Sequence, residues 1–328
     1  DALARPLRDL RLSVIDACNF RCPYCMPADR IAEDHGLDAT SRLSFDQIEI
    51  LVRGFARLGV RKLRLTGGEP LLRKRLPELV ARLARIDGID DLALTTNGSL
   101  LARHAGPLRE AGLRRITVSL DTLDPDAFRA LSGGRGELGD VLAGIEAANA
   151  AGFAQIKLNC VVQRGVNDTG IEQLAGFARD HGHVLRFIEY MDVGTCNGWS
   201  RERVVPSAEL CDRIAVHWPL RALDANYRGE VAERYAYEDG RGEVGVVSSV
   251  TAPFCGDCHR ARVSADGQLY TCLFAGQGHD LRAVLAQGED AMAQHVAGLW
   301  SARGDRYSEV RSEAGASRKH VEMYLVGG

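Results

Sequence analysis

Three cysteines lie within eight residues in the segment Ala17-Cys18-Asn19-Phe20-Arg21-Cys22-Pro23-Tyr24-Cys25, with the spacing C-x3-C-x2-C. The segment follows an apolar run at residues 10–15, which predicts a strand with the cysteines on the loop leaving its carboxyl end. Grouped thiolates suit iron–sulfur or zinc ligation. A closed structural zinc site needs four ligands, whereas a cluster held by three cysteines leaves one iron open for a substrate. The segment therefore predicts an open metal site; a zinc site with a remote fourth ligand and plain buried thiols are the alternatives.

A second group of three cysteines, Cys255, Cys258 and Cys272, has the spacing C-x2-C-x13-C. Grouped thiols in a long chain favour metal binding over disulfides. This set predicts a second cluster with an open iron, and a zinc ribbon with His259 or His279 as fourth ligand is the alternative. Three isolated cysteines are interpreted as packing or incidental residues: Cys160, Cys196 and Cys211.

Composition sets broad limits on the function. The chain has 328 residues, of which 45% are hydrophobic and 26% charged, and a formal net charge of −3. These values are ordinary for a globular protein and give no global basic field for nucleic-acid binding. No apolar run approaches the roughly 18–20 residues of a membrane span, and the N-terminus lacks a signal-peptide pattern. We therefore expect a cytoplasmic protein that binds neither nucleic acid nor membrane.

Strand-like runs alternate with amphipathic helical segments over the first 190 residues. The predicted strands cover residues 10–15, 62–66, 91–95, 115–120, 155–162 and 184–190. The predicted helices cover residues 45–58, 76–86, 104–111, 141–151 and 171–180. Ser44 and Gln47 form a capping-box pattern at the start of the first helix. The alternation predicts a parallel α/β sheet whose ligands gather at the carboxyl ends of its strands, but periodicity leaves open a doubly wound sheet or an incomplete barrel.

The pattern changes past residue 191, which divides the chain into a first part, 1–191, and a C-terminal region, 192–328. A helix is predicted from Pro206 toward His217, followed by strand-like segments at 231–237 and 243–248. A hairpin is predicted at 261–272 because Asp266-Gly267 is a strong turn signal. Two further helices are predicted at 280–287 and 290–300.

Several predicted strands carry cations where a buried parallel strand should be apolar. Lys62 and Arg64 are two residues apart and so share one face of their strand, as do Arg260 and Arg262. Further cations lie on or beside other strands: Arg11, Lys157 and Arg186. We attribute three others to solvated strand edges: Arg61, Arg114 and Arg115. Cations on several central strands predict an anionic ligand, and a nucleoside triphosphate fits best because several Arg and Lys can divide its phosphate oxygens.

Small residues end other predicted strands. Gly67-Gly68-Glu69-Pro70 closes the second strand, where glycine permits close approach of a ligand to the backbone. It is not a Walker loop, because no Gly-Lys-Ser/Thr follows. Thr95-Thr96 and Ser119 end the third and fourth strands. Their hydroxyls could bond a ribose or a base, although each is also suited to cap a helix.

Together these features resemble the GTP 3',8-cyclase family of molybdenum-cofactor biosynthesis, within the radical S-adenosylmethionine (SAM) superfamily. The resemblance spans essentially the whole chain and is carried by Arg11 to Pro27, Lys62 to Pro70, Arg186 to Met191, Cys255 to Cys272 with Arg260 and Arg262, and the terminal Gly327-Gly328. It implies an α/β fold, an incomplete (β/α)6 TIM-like barrel with a C-terminal extension that carries a second cluster.

Positions that match the family's motifs imply roles for individual residues. Two [4Fe–4S] clusters would be held by Cys18, Cys22 and Cys25, and by Cys255, Cys258 and Cys272. SAM would contact Tyr24, Gly68, Ser119 and Met191. GTP would contact Arg11, Lys62, Arg64, Thr95 (or Thr96), Lys157, Arg186, Arg260 and Arg262. An implied catalytic role falls to Arg260, Arg262, Gly327 and Gly328. The glycines belong here because the family's tail enters the active site; alone, they would be interpreted as a frayed end.

The resemblance also implies the reaction. The first cluster would cleave SAM to methionine and a 5'-deoxyadenosyl radical, which would take hydrogen from C3' of GTP. The GTP radical would attack C8 of guanine, which the second cluster holds. The cyclised radical would then take up one electron, with the second cluster assisting this final reduction, and one proton, so that this lyase yields 3',8-cyclo-7,8-dihydro-GTP. The implied partners are GTP, SAM, an electron donor and the downstream cyclic pyranopterin monophosphate synthase, with a homodimer as one option for assembly.

Two other functions are compatible with parts of the sequence. A radical SAM peptide-modifying enzyme with an auxiliary cluster would explain both cysteine sets, but not the strand cations or the Gly-Gly tail. A zinc-bearing binding protein without catalysis would explain the cysteines alone.

Overall fold

The computed structural model describes residues 1–26, 41–195, 197–311 and 320–327. Three residues named above, Pro27, Cys196 and Gly328, lie outside these ranges. No helix in the described ranges is long and apolar enough to cross a lipid bilayer.

Twelve strands of the described chain form one sheet. Their bounds are β1 Asp9–Ser13, β2 Lys62–Thr66, β3 Asp91–Thr96, β4 Arg115–Ser119, β5 Lys157–Val162, β6 Val184–Glu189, β7 Leu220–Leu223, β8 Glu233–Tyr237, β9 Glu243–Val247, β10 Arg260–Val263, β11 Gln268–Tyr270 and β12 His279–Asp280. The helices are α1 Phe45–Arg57, α2 Leu76–Leu83, α3 Leu101–Glu110, α4 Pro125–Leu131, α5 Leu138–Ala150, α6 Ile171–Asp180, α7 Ser207–His217, α8 Arg282–Leu285, α9 Glu289–Ser301 and α10 Met323–Val326.

The strand order is β12-β11-β10-β1-β2-β3-β4-β5-β6-β9-β8-β7. Strands β1 to β6 are therefore neighbours in chain order, and all are parallel. A doubly wound sheet would reverse its strand order at a switch point. The order from β1 to β6 does not reverse, so the fold is an incomplete barrel. Strands β7 and β12 are the two edges of the sheet among the described residues, and the barrel is open between them.

The region after residue 191 extends this sheet at both sides. Strand β10 pairs in parallel with β1, and β9 pairs in parallel with β6. Glu189 at the end of β6 fastens the region to the barrel: its buried carboxylate accepts hydrogen bonds from the backbone N–H groups of Ser207, Val250 and Thr251 at 2.8–2.9 Å. The division of the chain at residue 191 stays a prediction.

The two faces of the sheet differ in polarity because strand side chains alternate. The outer face is apolar and packs on the helices; five of its leucine and isoleucine side chains are 0–2% exposed: Leu10, Leu63, Leu92, Ile116 and Leu158. The inner face carries the cations identified from the sequence, together with Asp9, Asp91, Thr66 and Thr117. The outer face therefore supplies the hydrophobic stabilisation and leaves the interior free for a ligand.

Local sequence signals account for much of this order, but they miss strand β12 and helix α10 and fail in three further places. The Ser44–Gln47 capping box is present at α1, and the hairpin around Asp266-Gly267 joins β10 to β11. Helix α4 was not predicted because its seven residues are too few to show periodicity; Asp124 caps it by accepting from the N–H of Ala127 at 2.7 Å. Strand β7 was also not predicted. The edge interpretation is wrong for Arg115, since β4 lies inside the sheet and Arg115 forms an ion pair with Asp91 on β3.

Candidate functional site

The first cysteine loop leaves β1 and is fixed to the loop that follows β2. The N–H of Gly68 donates to the carbonyl of Ile15, and that of Glu69 to the carbonyl of Ala17, both at 2.8 Å. A Cβ atom on Gly68 would lie only 2.3 Å from the Ala17 carbonyl oxygen. Glycine is required here because the two backbones touch.

Glu69 links the loop after β3 to the loops that follow β1 and β2. Its fully buried carboxylate accepts hydrogen bonds from the hydroxyl of Thr96 at 2.7 Å and from the N–H of Asn97 at 2.8 Å. The side-chain amide of Asn97 in turn lies 4.0 Å from the sulfur of Cys18. Burial raises the pKa of Glu69 to about 7. No role was predicted for Glu69, although its place inside the Gly-Gly-Glu-Pro turn was an available signal.

The residues implied to bind SAM lie at the carboxyl end of the strands, as the cysteine loop does. Ser119 ends β4 and Met191 follows β6. The hydroxyl of Tyr24 donates to the carboxylate of Asp121 at 2.8 Å, which also accepts from the N–H of Val161 at 2.8 Å. Burial raises the pKa of Asp121 to about 6. Asp121 was missed, although a carboxylate directly after a predicted strand is a usable signal.

Strand register brings the cations together on the inner face. Arg11 on β1 is aligned with Arg64 on β2 and with Arg262 on β10. Two residues nearer the start of the same strands, Asp9 on β1 is aligned with Lys62 on β2 and with Arg260 on β10. Because side chains alternate along each strand, the register also puts two further cations on this face: Lys157 on β5 and Arg186 on β6. The eight positions that the resemblance implies for GTP thus share one face of the sheet.

These cations are poorly solvated, and few of them meet an anion. Burial lowers the pKa of Arg64 and of Arg262 to about 10, and that of Lys62 to about 8. Burial and the neighbouring Arg186 lower the pKa of Lys157 to about 7. The buried Nε of Arg11 has no hydrogen-bond partner in the described chain. Desolvated like charges disfavour their own charged forms, so this interior favours an anionic occupant.

The contacts within the interior also separate the two candidate threonines. One guanidinium nitrogen of Arg64 donates to the hydroxyls of Thr95 and Thr117, both at 2.9 Å. Thr95 therefore faces the cations, whereas Thr96 points to Glu69 on the other side of β3. Two carboxylates lie near cations at 3.6 Å, which is longer than a hydrogen bond: Asp9 beside Lys62 and Glu230 beside Arg186.

The second cysteine set lies at the opposite end of the barrel from the first. Cys258 precedes β10, which is parallel to β1, and Cys272 follows the antiparallel β11, so both lie near the strand starts. The Cys258 sulfur is 3.8 Å from a guanidinium nitrogen of Arg260 and 3.4 Å from one of Arg303. Burial alone would raise the pKa of Cys258, but these two arginines lower it to about 6.

Both cysteine sets fit a thiolate-bound cluster by their chemistry. Each offers three half-buried cysteines on one side of the cation-lined interior. No group of three His, Cys, Asp or Glu residues in the described ranges is arranged to hold one metal ion, as a single zinc would require. A cluster binds each thiolate through a different iron and does not need that close grouping.

The tail enters the interior between the two sets. Arg262 donates to the carbonyl of Gly327, whose φ is 68°. A Cβ atom on Gly327 would lie 2.1 Å from Cγ2 of Thr66, and the preceding Val326 is fully buried. The tail is therefore packed rather than frayed up to residue 327; Gly328 lies outside the described residues.

The contact at Gly68 leads to a testable prediction. Gly68→Ala should lower the free energy of unfolding by about 1–3 kcal/mol, because the new methyl group overlaps the Ala17 carbonyl. Urea unfolding measures the change. Gly139→Ala is the matched control: it lies in α5 with no atom within 4 Å of its added Cβ and should be neutral or stabilising. Equal effects of the two substitutions would contradict the close-contact explanation.

Solved structures of low sequence identity share the fold. SuiB of Streptococcus suis bound to S-adenosylmethionine aligns over 95% of this chain and 75% of its own, with a TM-score of 0.65 and 14% identity. Native anSMEcpe with bound AdoMet aligns over 97% of this chain and 94% of its own, with a TM-score of 0.57 and 15% identity. At these identities the likeness concerns the fold alone.

Sequence relatives are more informative. The Radical SAM superfamily model matches residues 12–178, and the Molybdenum Cofactor Synthesis C model matches residues 183–309. A GTP 3',8-cyclase of Xanthomonas campestris pv. campestris is 67% identical over all of this chain and 97% of its own. Those of Acidothermus cellulolyticus and Staphylococcus haemolyticus are 55% and 42% identical, again over all of this chain and 98% of theirs. The chain belongs to the GTP 3',8-cyclase family of radical SAM enzymes.

Proposed function

We propose that this chain binds GTP inside the barrel and converts it to 3',8-cyclo-7,8-dihydro-GTP, the first step of molybdenum-cofactor biosynthesis. One observation carries the proposal: a cation-lined interior lies between two three-cysteine loops at opposite ends of the same strands. A triphosphate supplies the negative charge that this interior lacks. The two cysteine loops then flank the nucleotide, one on each side.

At the carboxyl end of the strands, Cys18, Cys22 and Cys25 hold a [4Fe–4S] cluster with SAM. Once bound there, the cluster would supply the electron for cleavage of SAM, and the chemistry thus made available would be removal of the hydrogen from C3' of GTP. The chain's own part is alignment. The Gly68 backbone allows close approach of SAM, and Tyr24, held by Asp121, borders it together with Ser119 and Met191. Fixed positions matter because a radical that is not in line with its target would attack the protein.

Inside the barrel, the strand cations divide the triphosphate. Arg11 and Lys157 form neither an ion pair with a carboxylate nor a side-chain hydrogen bond among the described residues, and they are therefore the most available to phosphate oxygens. Arg64 is already oriented by two threonine hydroxyls. Arg262 holds the tail at Gly327. We assign two roles to Arg262: it binds the phosphates of the substrate, and it holds the tail next to them.

At the strand starts, Cys255, Cys258 and Cys272 hold a second [4Fe–4S] cluster in this proposal. Its support is the matched count of three thiols and the arginines around Cys258, which stabilise a thiolate. An open iron there would face the guanine and hold it away from the SAM end. Arg260, two residues from Cys258, would bridge the cluster and the substrate.

Several further predictions accompany this function. They are a division of the chain at residue 191, a separate electron donor, transfer of the product to cyclic pyranopterin monophosphate synthase, a cytoplasmic location and a homodimer as one assembly. The fold neighbours include SuiB, whose structure was solved with its precursor peptide SuiA, at 19% identity. That likeness concerns the fold alone, and the strand cations favour a nucleotide over a peptide.

Turnover tests the proposed function directly. Anaerobic incubation with SAM, GTP and a reductant should yield 5'-deoxyadenosine and the cyclised nucleotide in equal amounts, measured by liquid chromatography and mass spectrometry. Omitting GTP should suppress the cyclised product entirely. Formation of 5'-deoxyadenosine without any cyclised nucleotide would reject GTP as the substrate and favour the peptide-modifying alternative.

Iron content tests the second cluster. Anaerobic reconstitution should give about eight irons and eight sulfides per chain, as two [4Fe–4S] clusters. Replacing Cys255, Cys258 and Cys272 together by alanine should lower the count to about four, because one cluster loses its ligands. Cys211→Ala is the matched control and should leave about eight. A wild-type count of four, or bound zinc without iron at the second set, would overturn the assignment.

The lowered pKa of Lys157 makes GTP binding depend on pH. A bound phosphate raises the pKa of this ammonium above its free value of about 7, so binding takes up a proton at higher pH. GTP affinity should be greatest below about pH 7 and fall as the pH rises toward 9. Calorimetry at pH 8 in buffers of different ionisation enthalpy measures the proton uptake.

Lys157→Met should reduce this uptake, whereas Lys74→Met, which changes an exposed lysine, should not. The part that remains in Lys157→Met belongs to Lys62, whose pKa is lowered to about 8. Equal proton uptake by wild type and Lys157→Met would mean that Lys157 does not meet the phosphates.

A further inference from the structure

The connection between β7 and β8 carries a carboxylate into the cation-lined interior. The side chain of Glu230 is 3% exposed, and its Oε1 lies 3.6 Å from a guanidinium nitrogen of Arg186. Asn226, in the same connection, donates to this carboxylate from its backbone N–H at 2.7 Å and from its side-chain amide at 3.0 Å. Glu230 is thus a fixed anion beside one of the cations assigned to GTP.

The connection is held in place from the other side of the barrel. The guanidinium of Arg228 donates at 2.9 Å to the carboxylate of Asp257, which lies between Cys255 and Cys258 in the sequence. Gly229 has a φ of 86°, and a Cβ atom there would lie 2.4 Å from the ring of His259. Lys62 donates to the hydroxyl of Tyr227 at 3.4 Å. The segment therefore reaches from the β6 side of the barrel to residues on β2 and just before β10.

The contact between Glu230 and Arg186 is loose despite this fixed backbone. At 3.6 Å it is an ion pair without a hydrogen bond, and the buried Nε of Arg186 has no partner among the described residues. A buried carboxylate is costly unless it is well paired, and here its hydrogen bonds come from Asn226 rather than from Arg186. The arginine keeps donors for a second anion.

A carboxylate in this position opposes the binding of phosphate. It lowers the positive potential of the interior and occupies one side of Arg186. The cyclised product retains the triphosphate charge of GTP, so every gain in affinity for phosphate would also hold back the product. Binding energy that is equal for the substrate and the transition state does not speed the chemical step. A resident anion limits that uniform binding.

We propose that Glu230 is a built-in competitor for Arg186, which weakens the binding of triphosphate ligands to the barrel and so favours product release. This inference rests on the proposed function, because it takes Arg186 to be a phosphate ligand. It concerns ground-state binding, and Glu230 takes no part in the chemistry.

Binding of GTP without reductant tests the inference. Glu230→Gln keeps the size and a carbonyl acceptor for Asn226 but removes the charge. Its dissociation constant for GTP should fall, on the order of tenfold at low salt. The fall should be smaller for GDP and absent for guanosine. Damage to the fold would weaken binding, so tighter binding cannot arise from misfolding.

Three further variants separate the possible results. Glu238 is an exposed residue directly after β8. The Glu238→Gln substitution makes the same charge change as Glu230→Gln and should leave GTP affinity unchanged. Glu230→Ala should tighten GTP binding as Glu230→Gln does. Arg186→Gln should weaken it; no change there would refute Arg186 as a phosphate ligand. If Arg186→Gln weakens binding while neither Glu230 variant tightens it, the competitor role alone is overturned.

Discussion

Cations held out of water on one face of the sheet are the constraint on which the rest of the structure depends. Arg11, Arg64 and Arg262 occupy neighbouring positions in register, and burial lowers the pKa of Arg64 and Arg262. Such a face is unfavourable in itself, because it combines desolvation with repulsion between like charges. The barrel tolerates it because the opposite face of the same strands is apolar and packs on the helices. The hydrophobic face and the substrate face are thus two sides of one alternating pattern.

The sequence was sufficient for the central part of this arrangement. Strand β2 and helix α6 were predicted with their observed bounds, and the two-residue spacing of Lys62 and Arg64 was enough to place both on one face. The choice between a barrel and a doubly wound sheet was not available locally, since it depends on which strands become neighbours. The family resemblance favoured the barrel, and the observed strand order is that of a barrel.

What the sequence could not provide is the pairing of distant segments. Nothing local indicates that β10 continues the sheet beside β1, so the alignment of Arg262 with Arg11 could not be foreseen. The same holds for Asp121 beside Tyr24 and for Glu230 beside Arg186, since the two partners of each pair come from segments far apart in the sequence. Both cases concern a buried carboxylate whose role depends on a segment far away in the sequence, and local patterns do not reveal such residues. Their signal is only a single acidic residue near a strand end.

The pairing of β1 with β10 also bears on how the protein is made. Residues 9 to 13 leave the ribosome about 250 residues before their partner at 260 to 263. One edge of the growing sheet is therefore uncovered throughout most of translation, and folding must close a contact of very long sequence separation, which is slow. Charged side chains on an exposed edge discourage pairing with other chains. Asp9 and Arg11 lie on that edge, so residues that serve the finished pocket also protect the nascent chain from aggregation.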